Sequence, residues 1–168
     1  MKTTAGYMLI EGLLTILLLA ILLTLAAPAY NYLIADTQAT TSINDLVAAI
    51  NYARNEAIKR HQVVTLCKSA DGQKCGGNWR DGWLIYTDDQ RLRVYPALPV
   101  QDHLIWQSSL QHDDYLQLDA LGGARQDGTF TYCSGANPST INKVMVSFTG
   151  RVRVTTEKND PENSVCLN

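Results

Sequence analysis

Between Gly12 and Ala35 the sequence has no charged side chain, and that absence sets the first limit on what the chain can be. The run is longer than the ~20 apolar residues needed to cross a bilayer. It is apolar on every side, which argues against a core helix of a soluble protein, where one stripe is buried and the rest is wet. A secretory signal peptide cut near Ala27-Pro28-Ala29 is a poor fit, because the run is too long and Lys2 alone is a thin basic leader. Internal repeats and low-complexity stretches are also missing, so the 168 residues read as one anchor and one domain of ordinary size. There is no GxSxG, no P-loop and no HExxH. Asp88-Asp89 and Asp113-Asp114 are adjacent acids, which face opposite ways on a strand and are solvated in a loop, so neither makes a catalytic pair. The sequence therefore predicts no enzyme and no cofactor.

What is present begins with four cysteines, Cys67, Cys75, Cys133 and Cys166, all beyond the apolar run. An even count in an exported domain points to two disulfides, although four cysteines allow three pairings. The expected pairs are Cys67 with Cys75, closing the short loop CKSADGQKC, and Cys133 with Cys166, tying a strand to the C-terminal tail. Neither pair has zinc-like spacing, and His61, His103 and His112 do not cluster with them, so no metal is expected.

One acid interrupts the greasy N-terminus. Glu11 costs free energy in an isolated membrane helix and needs a reason to be there. If the bond after Gly6 is cut, Tyr7 becomes the first residue, its α-amine is a cation near neutral pH, and Glu11 lies one helical turn away, at ~6 Å of axial rise. In a bundle of such helices the Glu11 of one subunit can pair with the terminal amine of its neighbour, and the charge then sets the register of assembly.

The segment AGYMLIEGL behind the leader MKTTAG resembles the processing site of the type IV pilin and type II secretion pseudopilin superfamily: Gly, an aromatic residue (usually Phe, here Tyr7), and Glu at the fifth mature position. The resemblance implies cleavage by a prepilin peptidase between Gly6 and Tyr7, N-methylation of Tyr7, and Glu11 as an assembly residue. It divides the chain into a leader at 1–6, a transmembrane and assembly helix at 7–35, and an exported domain at 36–168.

Pro28 lacks an amide hydrogen and should bend the helix. Beyond it Ile43, Leu46, Val47, Ile50, Ala53, Ala57 and Ile58 recur at helical spacing, which predicts one apolar stripe running to about Arg60, with Arg54, Glu56, Lys59 and Arg60 on other faces. Short β-like runs follow: QVVTLC, GWLIYT, LRVYP, HLIWQS, YLQLD, TFTYCS, KVMVSF, RVRVTT and SVCL. Turns are expected at Asp71-Gly72, Asp88-Asp89, Gly122-Gly123 and Gly150. The fold class is α+β, a long helix packed on antiparallel sheet. Within it, NWRDGWLIYTD resembles the W-x-x-G-W segment of the minor pilins and pseudopilins of the GspH, FimU and FimT type. Trp79 and Trp83 would bracket a turn and pack in the core, a marker of architecture and not of chemistry.

The last candidate lies in KVMVSFTGRVRVTT. Gly150 reads as a hairpin turn, and strand alternation puts Arg151 and Arg153 on one face, ~7 Å apart. From Lys143 to Lys158 four cations face one acid, whereas from Asp36 to Asn142 nine cations face twelve acids. By charge alone, the two arginines guard an exposed strand against edge pairing. The Gly-Arg-x-Arg pattern, however, resembles the DNA-binding motif of FimT-type minor pilins, which act in natural transformation. That resemblance implies Arg151 and Arg153 on the phosphates of double-stranded DNA, with Gly150 shaping the loop. Lys143 and Lys158 join them by charge and proximity in sequence. The partners expected are other pilin subunits, DNA, the prepilin peptidase and the inner membrane, from which the chain would pass to a cell-surface pilus. The rival is a FimU- or GspH-like subunit, structural in pilus assembly or type II secretion, that does not touch DNA.

Overall fold

The computed structural model describes residues 9–135, 140–158 and 166, without the side chains of 25–33 and 35. Helix α1 (Leu9–Arg60) runs as one element through Pro28, with Lys59 and Arg60 in its last turn, where cations suit the helix dipole. Its described N-terminal side chains, residues 9–24, are exposed on all sides, with Leu and Ile between 50% and 84% exposed. Among the described residues no helix is long and apolar enough to cross a membrane. The expected span at 7–35 extends past the described side chains at both ends.

The helix ends where His61 takes a left-handed backbone (φ 52°). Gln62 N–H donates to the Ala57 carbonyl at 3.3 Å and His61 N–H to that of Ile58 at 3.4 Å, the paired bonds that close a helix and satisfy its orphan carbonyls. Along the stripe, Ile43, Leu46, Ile50, Ala53 and Ala57 are buried together with Ala39 and Ala49. Two residues differ from the expectation. Ile58 is 41% exposed, although its stripe neighbour Ala57 is fully buried. Glu56 is buried rather than outward, held by Arg60 one turn on and by Lys59 at 3.8 Å. The Arg60 hydrogen bond keeps its carboxyl below the usual range against the opposing effect of burial.

Eight strands follow: β1 (Val64–Lys68), β2 (Trp83–Tyr86), β3 (Arg91–Tyr95), β4 (His103–Ser108), β5 (Tyr115–Leu118), β6 (Gly128–Cys133), β7 (Thr140–Val146) and β8 (Val152–Lys158). They form two antiparallel sheets, ordered β3-β2-β1-β5 and β4-β6-β7-β8, so the α+β class read from the sequence is the one observed. The expected strand SVCL lies outside the described residues except for Cys166. Strand β2 departs from simple in-and-out alternation, since Trp83, Leu84 and Ile85 are all buried. Leu84 pairs with Cys67 in register, and Cys67 is bonded to Cys75 with Cα atoms 5.7 Å apart. The disulfide loop therefore lies next to the sheet face that would otherwise be wet. Cys133 is bonded to Cys166, Cα atoms 5.9 Å apart.

One core joins the helix and both sheets, built on Leu46, Ile50, Val64, Leu66, Trp83, Leu116, Phe130 and Val144. Trp79, on a single 3-10 turn, meets Phe130 edge-on at 5.0 Å, and Trp106 lies 4.2 Å from the same ring. These contacts weld the first sheet's turn to the second sheet. Trp83 stacks on its cross-strand partner Tyr95 at 5.5 Å. The two tryptophans are core residues, as the sequence reading had them. Buried Asp102 accepts a hydrogen bond from the Tyr132 hydroxyl and one from Gly135 N–H at 3.0 Å. Burial and this neighbouring carboxylate push the Tyr132 hydroxyl pKa well above its ordinary value.

Candidate nucleic-acid interface

Strands β7 and β8 pair without slippage from Thr140–Lys158 to Val146–Val152, and the turn between them sets the site. Ser147 N–H donates to the Arg151 carbonyl at 3.1 Å and Gly150 N–H to the Ser147 carbonyl at 2.8 Å, with Gly150 at φ +71°. This is a three-residue hairpin loop whose last residue must be left-handed, the position glycine fills without strain. Regular pairing up to that point keeps alternate side chains on opposite faces.

The loop is docked onto the rest of the molecule. Phe148 carbonyl accepts from Ala124 N–H at 2.9 Å. Gly150 lies so close to the Gly122 carbonyl that a Cβ would overlap it. That carbonyl in turn accepts a hydrogen bond from Arg54 Nε at 2.9 Å. Arg54 therefore ties α1 to the β5–β6 loop, and the β5–β6 loop seats the hairpin. The sequence reading placed Arg54 on a face other than the apolar stripe, and a contact across 68 positions leaves no periodic signal that could have revealed it.

Beside the hairpin lies an open groove of about 780 Å³. Arg151 and Arg153 both line it, with Thr129, Met145, Ser147 and Thr149, and both are exposed. The structure thus brings together the two arginines the sequence singled out. It treats the two lysines differently. Lys143 shares the face of Arg153 but is bound to Glu157 at 2.7 Å. Lys158 lies at the far end of β8, opposite Thr140, on the other face. Asp127, which the sequence reading did not single out, also lines the groove and has a buried oxygen without a hydrogen-bond partner. Gly6 and Tyr7 lie outside the described residues. Glu11 is exposed on α1. Among the described residues no group of three or more His, Cys, Asp or Glu could hold a metal ion.

Two crystal structures of the Pseudomonas aeruginosa (strain PAO1) type IV minor pilin FimU superpose on this chain. Their TM-scores are 0.54 and 0.55, each at 18% identity and covering 69% of this chain, with 91% and 87% of the FimU chains covered. At that identity the likeness is one of fold. No curated protein gives a significant match to the sequence. The family described as Type II transport protein GspH matches residues 42–150, so Arg151 and Arg153 lie just beyond the matched segment. That match takes in more than half of the sequence and every strand of the first sheet, and on it the chain belongs to the GspH family.

Proposed function

We propose that this pilin-like subunit is a minor type IV pilin that binds extracellular DNA through the β7–β8 hairpin, without sequence preference, in natural transformation. The observation that carries the reading is the placement of Arg151 and Arg153 together, exposed, at one groove beside a turn braced by Gly122 and Arg54. Two guanidiniums, one beside a fixed turn and one on the strand that leaves it, match phosphate oxygens on successive nucleotides. Among the described residues neither is engaged in an ion pair with the chain's own acids. Lys143 contributes less than its charge suggests, since Glu157 already holds it. Two phosphate contacts give a salt slope of about −2 on logarithmic axes and weak affinity, which repetition along a filament multiplies. Upstream, the apolar segment and Glu11 serve membrane insertion, processing at Gly6/Tyr7 and assembly with other pilin subunits. The role is one of structure and binding, without catalysis.

A second reading is a purely structural subunit of a pilus or secretion pseudopilus. It draws on the FimU-like fold and on Asp127, whose carboxyl group shares the groove with the arginines. A gel-shift with duplex DNA at two salt concentrations separates them. Arg151→Ala with Arg153→Ala should abolish the salt-sensitive shift with the circular dichroism spectrum unchanged. Retardation equal to wild type would leave the structural reading standing alone.

A further inference from the structure

The hairpin tip carries a feature that phosphate binding does not use. Phe148 is 56% exposed, and among the described residues it is the only phenylalanine, tyrosine or tryptophan more than half open to solvent. The chain's other phenylalanine, Phe130, is fully buried between Trp79 and Trp106. The backbone under Phe148 is fixed, because its carbonyl is bonded to Ala124 N–H at 2.9 Å and the turn is closed on both sides of it. The ring is thus presented on a rigid mount, three positions before Arg151, at little conformational cost to a partner that covers it.

We propose that Phe148 stacks on an unpaired nucleobase, so that the hairpin prefers single-stranded DNA and opened ends over closed duplex. The proposal rests on the reading of Arg151 and Arg153 as phosphate ligands and deepens it. Phosphate contacts alone do not distinguish a single strand from a duplex, whereas a base offers a free π-face only when it is unstacked. The neighbouring charges favour nucleic acid over a protein partner. The Phe148 ring does not line the arginine groove, but a partner that covers the hairpin meets the ring and, three and five positions on, two arginines with no acid paired to them among the described residues; a single strand answers the ring with a base and the cations with phosphates, which an apolar protein surface does not.

The test is fluorescence anisotropy of the full chain in detergent, with a labelled single strand and a closed hairpin duplex of the same sequence. Phe148→Ala should weaken single-strand binding about tenfold and leave the closed duplex unchanged, while Phe148→Trp retains both. Equal loss on both probes, no loss on either, or a Trp variant as weak as Ala would overturn the proposal. If Arg151→Ala/Arg153→Ala loses both probes while Phe148→Ala loses neither, stacking alone fails. If the double variant binds both as wild type does, the phosphate reading fails and takes this proposal with it. Loss of self-association in Phe148→Ala with single-strand binding intact would assign the ring to a contact between copies, against the proposal.

Discussion

Replacing Gly150 by alanine tests whether the arginine hairpin is a mounted element or a free loop. The perturbation has two parts. A left-handed backbone (φ +71°) costs a non-glycine residue about 1–2 kcal/mol. The new Cβ also falls well inside 3.0 Å of the Gly122 carbonyl oxygen and 3.1 Å from Arg54 Nε, so backbone must move. Moving that carbonyl breaks the hydrogen bond it accepts from Arg54, and a bond to a charged group contributes about 1.5–3 kcal/mol. Together the loss is about 3–5 kcal/mol, an order-of-magnitude figure corresponding to about 10–20 °C in melting temperature for a domain of this size. The assay is thermal unfolding of residues 36–168, with Gly150→Asn beside Gly150→Ala. Asparagine tolerates the left-handed backbone but carries the same Cβ, so both variants should melt well below wild type. A melting temperature unchanged in Gly150→Ala, or restored in Gly150→Asn, would refute the argument that the Gly122 carbonyl seats the turn.

Tyr132 supplies a pH prediction. Its folded-state pKa is raised above the ordinary 10.0, so below pH 10 neither state ionises and it contributes no slope. Above pH 10 the unfolded chain loses this proton while the folded one keeps it, and stability falls as pH rises; Tyr132→Phe should flatten that fall in urea titrations. Tyr95, raised chiefly by burial, should leave a residual slope of the same sign. Non-reducing peptide mapping should recover Cys67 with Cys75 and Cys133 with Cys166; in the loop-closure model the two bonds stabilise by about 2.5 and about 4 kcal/mol, and a crossed map would overturn the connectivity. Glu11→Ala should still be cleaved after Gly6, as mass spectrometry of the N-terminus would show, yet fail to enter filaments; normal incorporation would remove the assembly role of that carboxylate.

Much of the architecture was legible because it is written in short periods. The stripe from Ile43 to Ala57 repeats every three or four residues, and the helix it implies ends at Arg60. The run HLIWQS became β4 over the same residues, and Gly150 marked its turn because left-handed backbone selects few residues. The misses were of another kind. Glu56 reads as a surface acid until Arg60 folds over it. Leu84, opposite Trp83 and Ile85 by strand alternation, is buried all the same, because the Cys67–Cys75 loop lies beside it. Lys143 and Lys158 read as one basic cluster, and pairing to Glu157 and strand parity divide them.

The helix, the strands, the hairpin and the unusual acid in an uncharged segment follow from the order of side chains, since local backbone preference and apolar periodicity act over a few residues. Which charges remain free at the hairpin is a different matter. It depends on Arg54 reaching Gly122, on Gly122 meeting Gly150, and on Glu157 pairing across the strand with Lys143. Those contacts join residues far apart along the chain, and electrostatic and steric terms act through the space that only the folded chain defines.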